Sequence, residues 1–367
     1  MSYCIINSGI TNLEESGARP GSCGRNWLRD ATNGDDEDRE MKYSKRDAKE
    51  YSRQHMRGIW AAAITPFAQD LSIDEAGFRS NMQHWTRDLG IEGLFICGKQ
   101  GEFFSMSIEE RKRTFDIGVD EAKKGKFQTI MSCSDQNMDT VIELAKHAEQ
   151  AGADYIVVHA PILHFSKAQD DTVYEYYRYI SEQVNIGIAL WSHPDSGYLL
   201  SPQLCARIAE LPGIVAIKYS VPREMYVELT RIAGDKIIVS TASEEEWFDN
   251  IVELDWKLYL CSNPPYLMQT SVDRRMHEYT QLAFKGDVKQ AKVLRDSLNP
   301  VREAIRRTRP HEKPHAHAKY WQDLLGQVGG PVRRPLLQLT DAEKAATKAA
   351  FDACGLKLAP KLKSSAA

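Results

Sequence analysis

The chain has 367 residues, a formal net charge of −4, 42% hydrophobic and 27% charged residues. That profile belongs to a globular protein, long enough for one barrel-sized domain with additions or for two domains. The weak acidic balance gives no electrostatic reason to expect nucleic acid or a membrane surface as partner, and no stretch approaches the roughly 20 apolar residues of a spanning helix. The seven cysteines, at 4, 23, 97, 133, 205, 261 and 354, form neither CxxC nor zinc-site spacing. They are expected as buried free thiols, which fits a reducing cytoplasm, and the N-terminus lacks the apolar core of a signal peptide.

Residues 1–57 are polar, with GARPGSCGRN and NGDDEDREMKYSKRDAKEYSRQ and few apolar positions. They read as a disordered or loosely attached arm, a candidate for subunit contacts. From Gly58 short apolar runs alternate with longer amphipathic stretches. The runs are GIWAAAI (58–64), GLFIC (93–97), QTIMSC (128–133), YIVVHA (155–160), IGIALW (186–191), IVAIK (214–218), KIIVS (236–240) and KLYLCS (257–262). Continuous apolar runs of this length suit parallel strands covered on both faces. The stretches between them predict helices over 72–90, 107–125, 137–152, 172–184, 201–211, 222–234, 243–254 and 267–286. Ser72 with Glu75 and Ser107 with Glu110 have the spacing of capping boxes. Further helices are predicted over 287–308, 315–326 and 341–354, with the turn-rich GGPVRRP before the last.

Eight strand–helix units predict a (β/α)8 TIM barrel over 58–286, an N-terminal arm over 1–57 and a C-terminal helical region over 287–367. A doubly wound open sheet alternates in the same way, but no GxGxxG follows the first strand. In a barrel the active site lies at the C-terminal ends of the strands. Those ends supply Thr65, the turn Gly98-Lys99-Gln100-Gly101-Glu102, Ser132 and Ser134, His159 and His164, Trp191 and His193, Lys218, Ser240, and Asn263. Lys218 closes a run with no other polar residue. Burial lowers an amine's pKa, and a neutral amine attacks a ketone to form a Schiff base. Alternatively its stem lines the barrel while its head pairs with a carboxylate such as Glu102. Lys99 and the backbone N–H groups of the Gly98–Gly101 turn can hold a substrate carboxylate, unless Lys99 pairs with Glu102. His193 and His164 titrate in the range useful for proton transfer, and Asn263 can hydrogen-bond a substrate oxygen.

GIWAAAITPF with SIDEAGF, GKQGEF with SIEERK, AGADYIVVHAP, the WSHP turn, IVAIK and the tail PVRRPLLQLTDAEKAATKAAFDACGL together resemble the dihydrodipicolinate synthase / N-acetylneuraminate lyase family of class I aldolases. The resemblance covers most of the chain after the arm. It implies that Lys218 is the Schiff-base residue, that the substrate is a 2-oxo acid, that no cofactor or metal is used, and that the chain forms a homo-oligomer, commonly a tetramer. The departures are specific. The family's Gly-Thr-Thr-Gly-Glu reads Gly98-Lys99-Gln100-Gly101-Glu102 here, Trp191 stands for the acid–base tyrosine, Leu163 stands for the second tyrosine, and the synthases' carboxylate-binding arginine has no counterpart in DSGY (195–198). The resemblance therefore does not extend to the lysine-biosynthetic reaction.

The hydratase-aldolases of aromatic breakdown, which share the Gly-Ile-Trp-Ala start and an Ala-Lys-Tyr near the lysine, resemble the pattern better. The expectation is a lyase that makes or breaks a bond between pyruvate and an aldehyde, with Lys218, His193 and Trp191 at the reacting atoms. Gly98, Lys99, Gln100, Gly101, Thr65, His164, Ser240 and Asn263 are expected to bind substrate, with Trp191 and Phe103 or Phe104 as an apolar wall. The alternatives are a dehydratase on a sugar-derived 2-oxo acid, a metal-dependent lyase using His159, His164, His193 and Glu102, and a ligand-binding member without catalysis.

Overall fold

The computed structural model describes residues 42–163, 170–260 and 265–358. Eight strands form where the apolar runs stand: β1 Gly58–Ala62, β2 Gly93–Ile96, β3 Gln128–Ser132, β4 Tyr155–His159, β5 Gly187–Ser192, β6 Ile214–Tyr219, β7 Ile238–Ser240 and β8 Leu258–Leu260. All pairings are parallel, in the order β7-β6-β5-β4-β3-β2-β1-β8. Neighbours in the sheet are neighbours in sequence, and a helix follows each strand, so the sheet curls into a (β/α)8 barrel. β1, β2, β5, β6 and β8 are buried at every position, as expected for strands covered inside and out.

The ring closes between β7 and β8 through a side chain. Ser240 Oγ donates to Leu258 O at 3.0 Å and accepts from Leu260 N at 2.9 Å. One hydroxyl, donor and acceptor at once, satisfies the facing edge of β8.

The arm reading of residues 1–57 does not hold for its last part. Residues 42–57 pack on the N-terminal face of the barrel, and α1 (Ala48–His55) lies there. Tyr43 is buried, its hydroxyl donating to Asp154 O and accepting from Gly187 N at 2.9 Å. Lys45, Lys49 and Arg53 donate to the carbonyls of Ser181, Ala209 and Asp235. Those carbonyls lie at or just beyond helix C-termini, where the helix dipole favours cations.

The outer helices are α2 (Glu75–Gln83), α3 (Ile108–Gly125), α4 (Met138–Ala151), α5 (Asp170–Gln183), α6 (Pro202–Ile208), α7 (Arg223–Ala233), α8 (Glu244–Leu254) and α9 (Arg275–Phe284). The Ser107–Glu110 capping box forms on both sides. The one expected at Ser72 does not. Asp74 caps α2 by accepting from Gly77 N at 2.8 Å, while Ser72 donates to Asp70. The helix expected from residue 267 starts at Arg275, because Thr270 and Asp273 close a tight antiparallel turn first. The helix expected over 287–308 is two, α10 (Val288–Ser297) and α11 (Asn299–Thr308), split before Pro300, which has no N–H for the helical ladder. α12 (Pro314–Leu324) and α13 (Asp341–Ala353) complete the chain's described helices. Among the described residues no helix is long and apolar enough to cross a membrane, and Cys97, Cys133, Cys205 and Cys354 are buried free thiols.

Glu92, just before β2, is held by Ile59 N at 2.8 Å in a pocket so tight that a Cβ on Gly58 would come within 2.4 Å of its carboxyl. Burial pushes its pKa from 4.5 up to about 7. Folding therefore favours the protonated form. The stabilisation is complete below pH 4.5 and is lost as the pH rises through about 7, at a cost of up to about 3 kcal/mol. Glu92→Gln keeps an acceptor for Ile59 and is expected to raise the urea midpoint at pH 8, with the gain shrinking towards pH 5. A gain independent of pH would contradict this reading.

Candidate active site

Register places four side chains on one rung at the C-terminal ends of the central strands. His159 of β4 pairs with Trp191 of β5, Trp191 with Lys218 of β6, and Lys218 with Ser240 of β7. The five residues before Lys218, Gly213 to Ile217, are fully buried, so the strand's position is fixed by its apolar part. Lys218 itself is 1% exposed. Its Nζ lies 4.9 Å from the centre of the Phe95 ring and 5.3 Å from that of Trp191. Trp191 is held edge-on between Phe95 and His159, with ring centres 5.6 and 4.8 Å away. The amine thus sits on an aromatic shelf.

A cavity of about 700 Å³ opens above it. Lys218, Trp191, His193, Lys99 and Gln100 line it from the barrel; Ile64, Val221, Leu267 and Met268 give it apolar walls. The far side comes from the C-terminal helices, through Arg302, Ile305, His315 and His317. Arg302 is engaged there by Glu244, at 2.6 and 2.7 Å through its Nε and Nη2. Burial pushes His317 from 6.5 down to about 4.

The strand-2 turn is bracketed by two residues in the left-handed region, Cys97 at φ +57° and Glu102 at φ +59°. Close approach explains both glycines: a Cβ on Gly98 would come within 2.8 Å of the Phe95 ring, and one on Gly101 within 3.1 Å of Ala63 O. The turn closes through Gly101 N to Gly98 O and Glu102 N to Lys99 O, at 3.0 and 3.1 Å. The N–H groups of Lys99 and Gln100 donate to no acceptor among the described residues. Lys99 reaches across the mouth to Asp195, not to Glu102. Burial works against the Asp195 carboxylate, but the Lys99 hydrogen bond and charge, together with His193 and His159, outweigh it and hold the pKa below the usual range.

Glu102 pairs with neither lysine proposed for it. It is fully buried and meets Lys319 of α12 at 2.6 Å, and its other oxygen accepts from Arg333 N at 3.0 Å. Lys319 also donates to Pro331 O at 2.8 Å, and its Nζ lies 4.2 Å from the Phe67 ring centre. The C-terminal region thus anchors the end of the turn.

His193 lines the cavity, and its Nδ1 accepts from Asp195 N at 3.2 Å, which leaves the hydrogen on Nε2. Burial, and then the Lys99 charge, lower its pKa, so the ring is neutral near pH 7. His159 faces a second cavity of about 400 Å³ on the other side of Trp191. Phe103 and Phe104 line that second cavity and not the one above Lys218. Ser132 and Ser134 face each other at 3.4 Å outside the Lys218 cavity. Thr65 is buried beneath the turn, and Ser240 is committed to the barrel seam. His164 and Asn263 lie outside the described residues. Among the described residues no group of three or more His, Cys, Asp or Glu side chains could hold a metal ion.

Sequence reasoning missed Phe95, His315 and Lys319. Phe95 could have been found from strand alternation, since β2 must send some of its side chains inward. His315 and Lys319 carry no local signal.

A (β/α)8 barrel with a buried lysine at the end of its sixth strand, beside a glycine-bracketed turn, defines an enzyme of the class I aldolase type, a lyase. Residues 55–354 match the model of the dihydrodipicolinate synthetase family, and the chain belongs to that family. The 4-hydroxy-tetrahydrodipicolinate synthase of Methanothrix thermoacetophila is 30% identical over 79% of this chain and 94% of its own length. That of Bradyrhizobium diazoefficiens is 26% identical over 83% and 99%. Among solved structures, YagE of E. coli in complex with pyruvate aligns with a TM-score of 0.72 at 21% identity, covering 82% of this chain and 99% of that one. N-acetylneuraminate lyase from Fusobacterium nucleatum aligns with a TM-score of 0.72 at 22% identity, covering 83% and 100%.

Proposed function

We propose that this chain forms an imine between Lys218 and the 2-oxo group of an unsaturated or aryl-bearing 2-oxo acid, and cleaves it to pyruvate and an aldehyde. The observation that carries this is the placement of a buried amine at the floor of a cavity with apolar walls on the barrel side, beside a turn with two N–H groups that have no acceptor among the described residues. The amine adds to C2 and water leaves, giving a protonated imine. Water adds across the conjugated double bond, its oxygen to C4 and its proton to C3. The C4 hydroxyl then gives up its proton to a solvent water in the cavity, the C3–C4 bond breaks, and its electrons pass into the imine as an enamine while the aldehyde departs. C3 takes up a proton, and hydrolysis of the imine releases pyruvate and frees Lys218.

The N–H groups of Lys99 and Gln100 hold the carboxylate. His193 donates from Nε2 to the C4 oxygen as its charge develops. Trp191 supports the imine from below. Ile64, Val221, Leu267 and Met268 offer contacts to an apolar substituent, and the strand-end hydroxyls Ser132 and Ser134, which a sugar-derived substrate would use, lie outside the cavity, whose own hydroxyls are Ser220, Thr241 and Ser243. The missing tyrosines separate this reading from the reaction for which the relatives above are named. By family we further place the chain in the cytoplasm as a homo-oligomer, a tetramer.

The test is pyruvate release, read by coupled reduction to lactate, from 4-aryl-2-oxobutenoates and from 3-deoxy-2-oxo sugar acids. Release from the aryl series is the result expected. Release from the sugar acids alone would replace this reading by the dehydratase or sugar-lyase one.

A further inference from the structure

His315 stands on the first turn of α12, 216 residues from the turn it touches. Its Nε2 lies 2.9 Å from Lys99 O. A carbonyl only accepts, so Nε2 carries the hydrogen and His315 is the donor. Lys99 O and Gln100 N belong to one peptide unit, and in a trans peptide the C=O and N–H point in opposite directions. A hydrogen bond that fixes the carbonyl towards α12 therefore fixes the Gln100 N–H away from α12. Glu102 N donates to the same carbonyl at 3.1 Å, so the peptide is held from two sides. Accepting at the oxygen also polarises the peptide and makes its N–H a stronger donor. Two further contacts hold the same turn: Lys319 of α12 on Glu102, and Arg333 N on the other Glu102 oxygen. The Lys99 ammonium is taken up by Asp195. At this turn the donors left for a carboxylate are backbone N–H groups, and their direction is set from the C-terminal helix.

We infer that His315 is a positioning residue for the 2-oxo acid: it orients the Lys99–Gln100 peptide so that the Gln100 N–H binds the substrate carboxylate. This rests on the reading that the cavity takes a 2-oxo acid, and the test separates the two.

Pyruvate and pyruvamide share the ketone and differ only in the carboxylate, so the ratio of their dissociation constants cancels any imine contribution. Titration calorimetry on the native chain is expected to show pyruvate bound at least about tenfold more tightly than pyruvamide. His315→Leu is expected to bring that ratio down about tenfold by weakening pyruvate alone. His315→Gln, whose amide donates at the position of Nε2, is expected to keep it. If the leucine variant does not fold, His315→Asn, too short to reach the carbonyl, serves in its place. A ratio unchanged without the histidine, or a native ratio near one, overturns the proposal. A preserved ratio in a native chain that gives no borohydride-reducible adduct leaves His315 in place and removes only the imine.

Discussion

Lys218→Ala is expected to lower turnover about 10⁴-fold or more while leaving the fold intact. The size of the effect follows from the chemistry. Without the amine there is no imine, and without the imine the electrons of the breaking carbon–carbon bond have no sink. No other described side chain stands in its place: its rung neighbours are an indole and a serine engaged in the barrel seam. The fold should survive because the strand is fixed by the five buried residues before Lys218. The check is kcat for pyruvate release beside the thermal midpoint. Residual activity of a few per cent would mean that the lysine is structural.

The second large effect is on stability. Lys319 and Glu102 are 1% and 0% exposed and meet at 2.6 Å. Burial lowers the Lys319 pKa, and the Glu102 carboxylate counters that shift. Lys319→Ala leaves a carboxylate buried without its cation, which costs about 3–5 kcal/mol, a large part of a typical folding free energy. It also releases Pro331 O. The double variant Glu102→Gln/Lys319→Met removes both charges and is expected to recover most of the loss, because a buried pair is worth little net against neutral residues of similar size. Urea denaturation of the two variants decides it. A loss below about 1 kcal/mol in Lys319→Ala would show that water reaches the pair.

Much of the barrel was legible because its signal is local. Each parallel strand must be apolar on both faces, so GLFIC, YIVVHA and IVAIK announce themselves, and the Ser107–Glu110 box marks a helix start by chemistry that acts within one turn. Lys218 was legible for the same reason, as a charge ending an apolar run. The misreadings share a cause as well. Ser72 and Asp74 both suit an N-cap, and only the path of the chain into α2 decides between them. Ser240 reads as a substrate hydroxyl until the β7–β8 gap it fills is seen. Residues 42–57 look like a solvated arm because their cations find carbonyl partners that no sequence pattern reveals. Likewise the lining from α11 and α12 is invisible in sequence: His315 meets Lys99, and Lys319 meets Glu102, across more than 200 residues. The pairing of Lys99 with Glu102 was the local guess. The fold chose Asp195 for one and Lys319 for the other.

The proposed chemistry requires one covalent bond, the imine at Lys218. Incubation of the native chain with pyruvate, reduction by borohydride and proteolytic mapping by mass spectrometry tests it most directly. The expected result is the added mass of one reduced pyruvyl group on the peptide carrying Lys218, and none in Lys218→Ala. An unmodified Lys218 peptide, with both pyruvate and aryl 2-oxo acids as substrate, would contradict it.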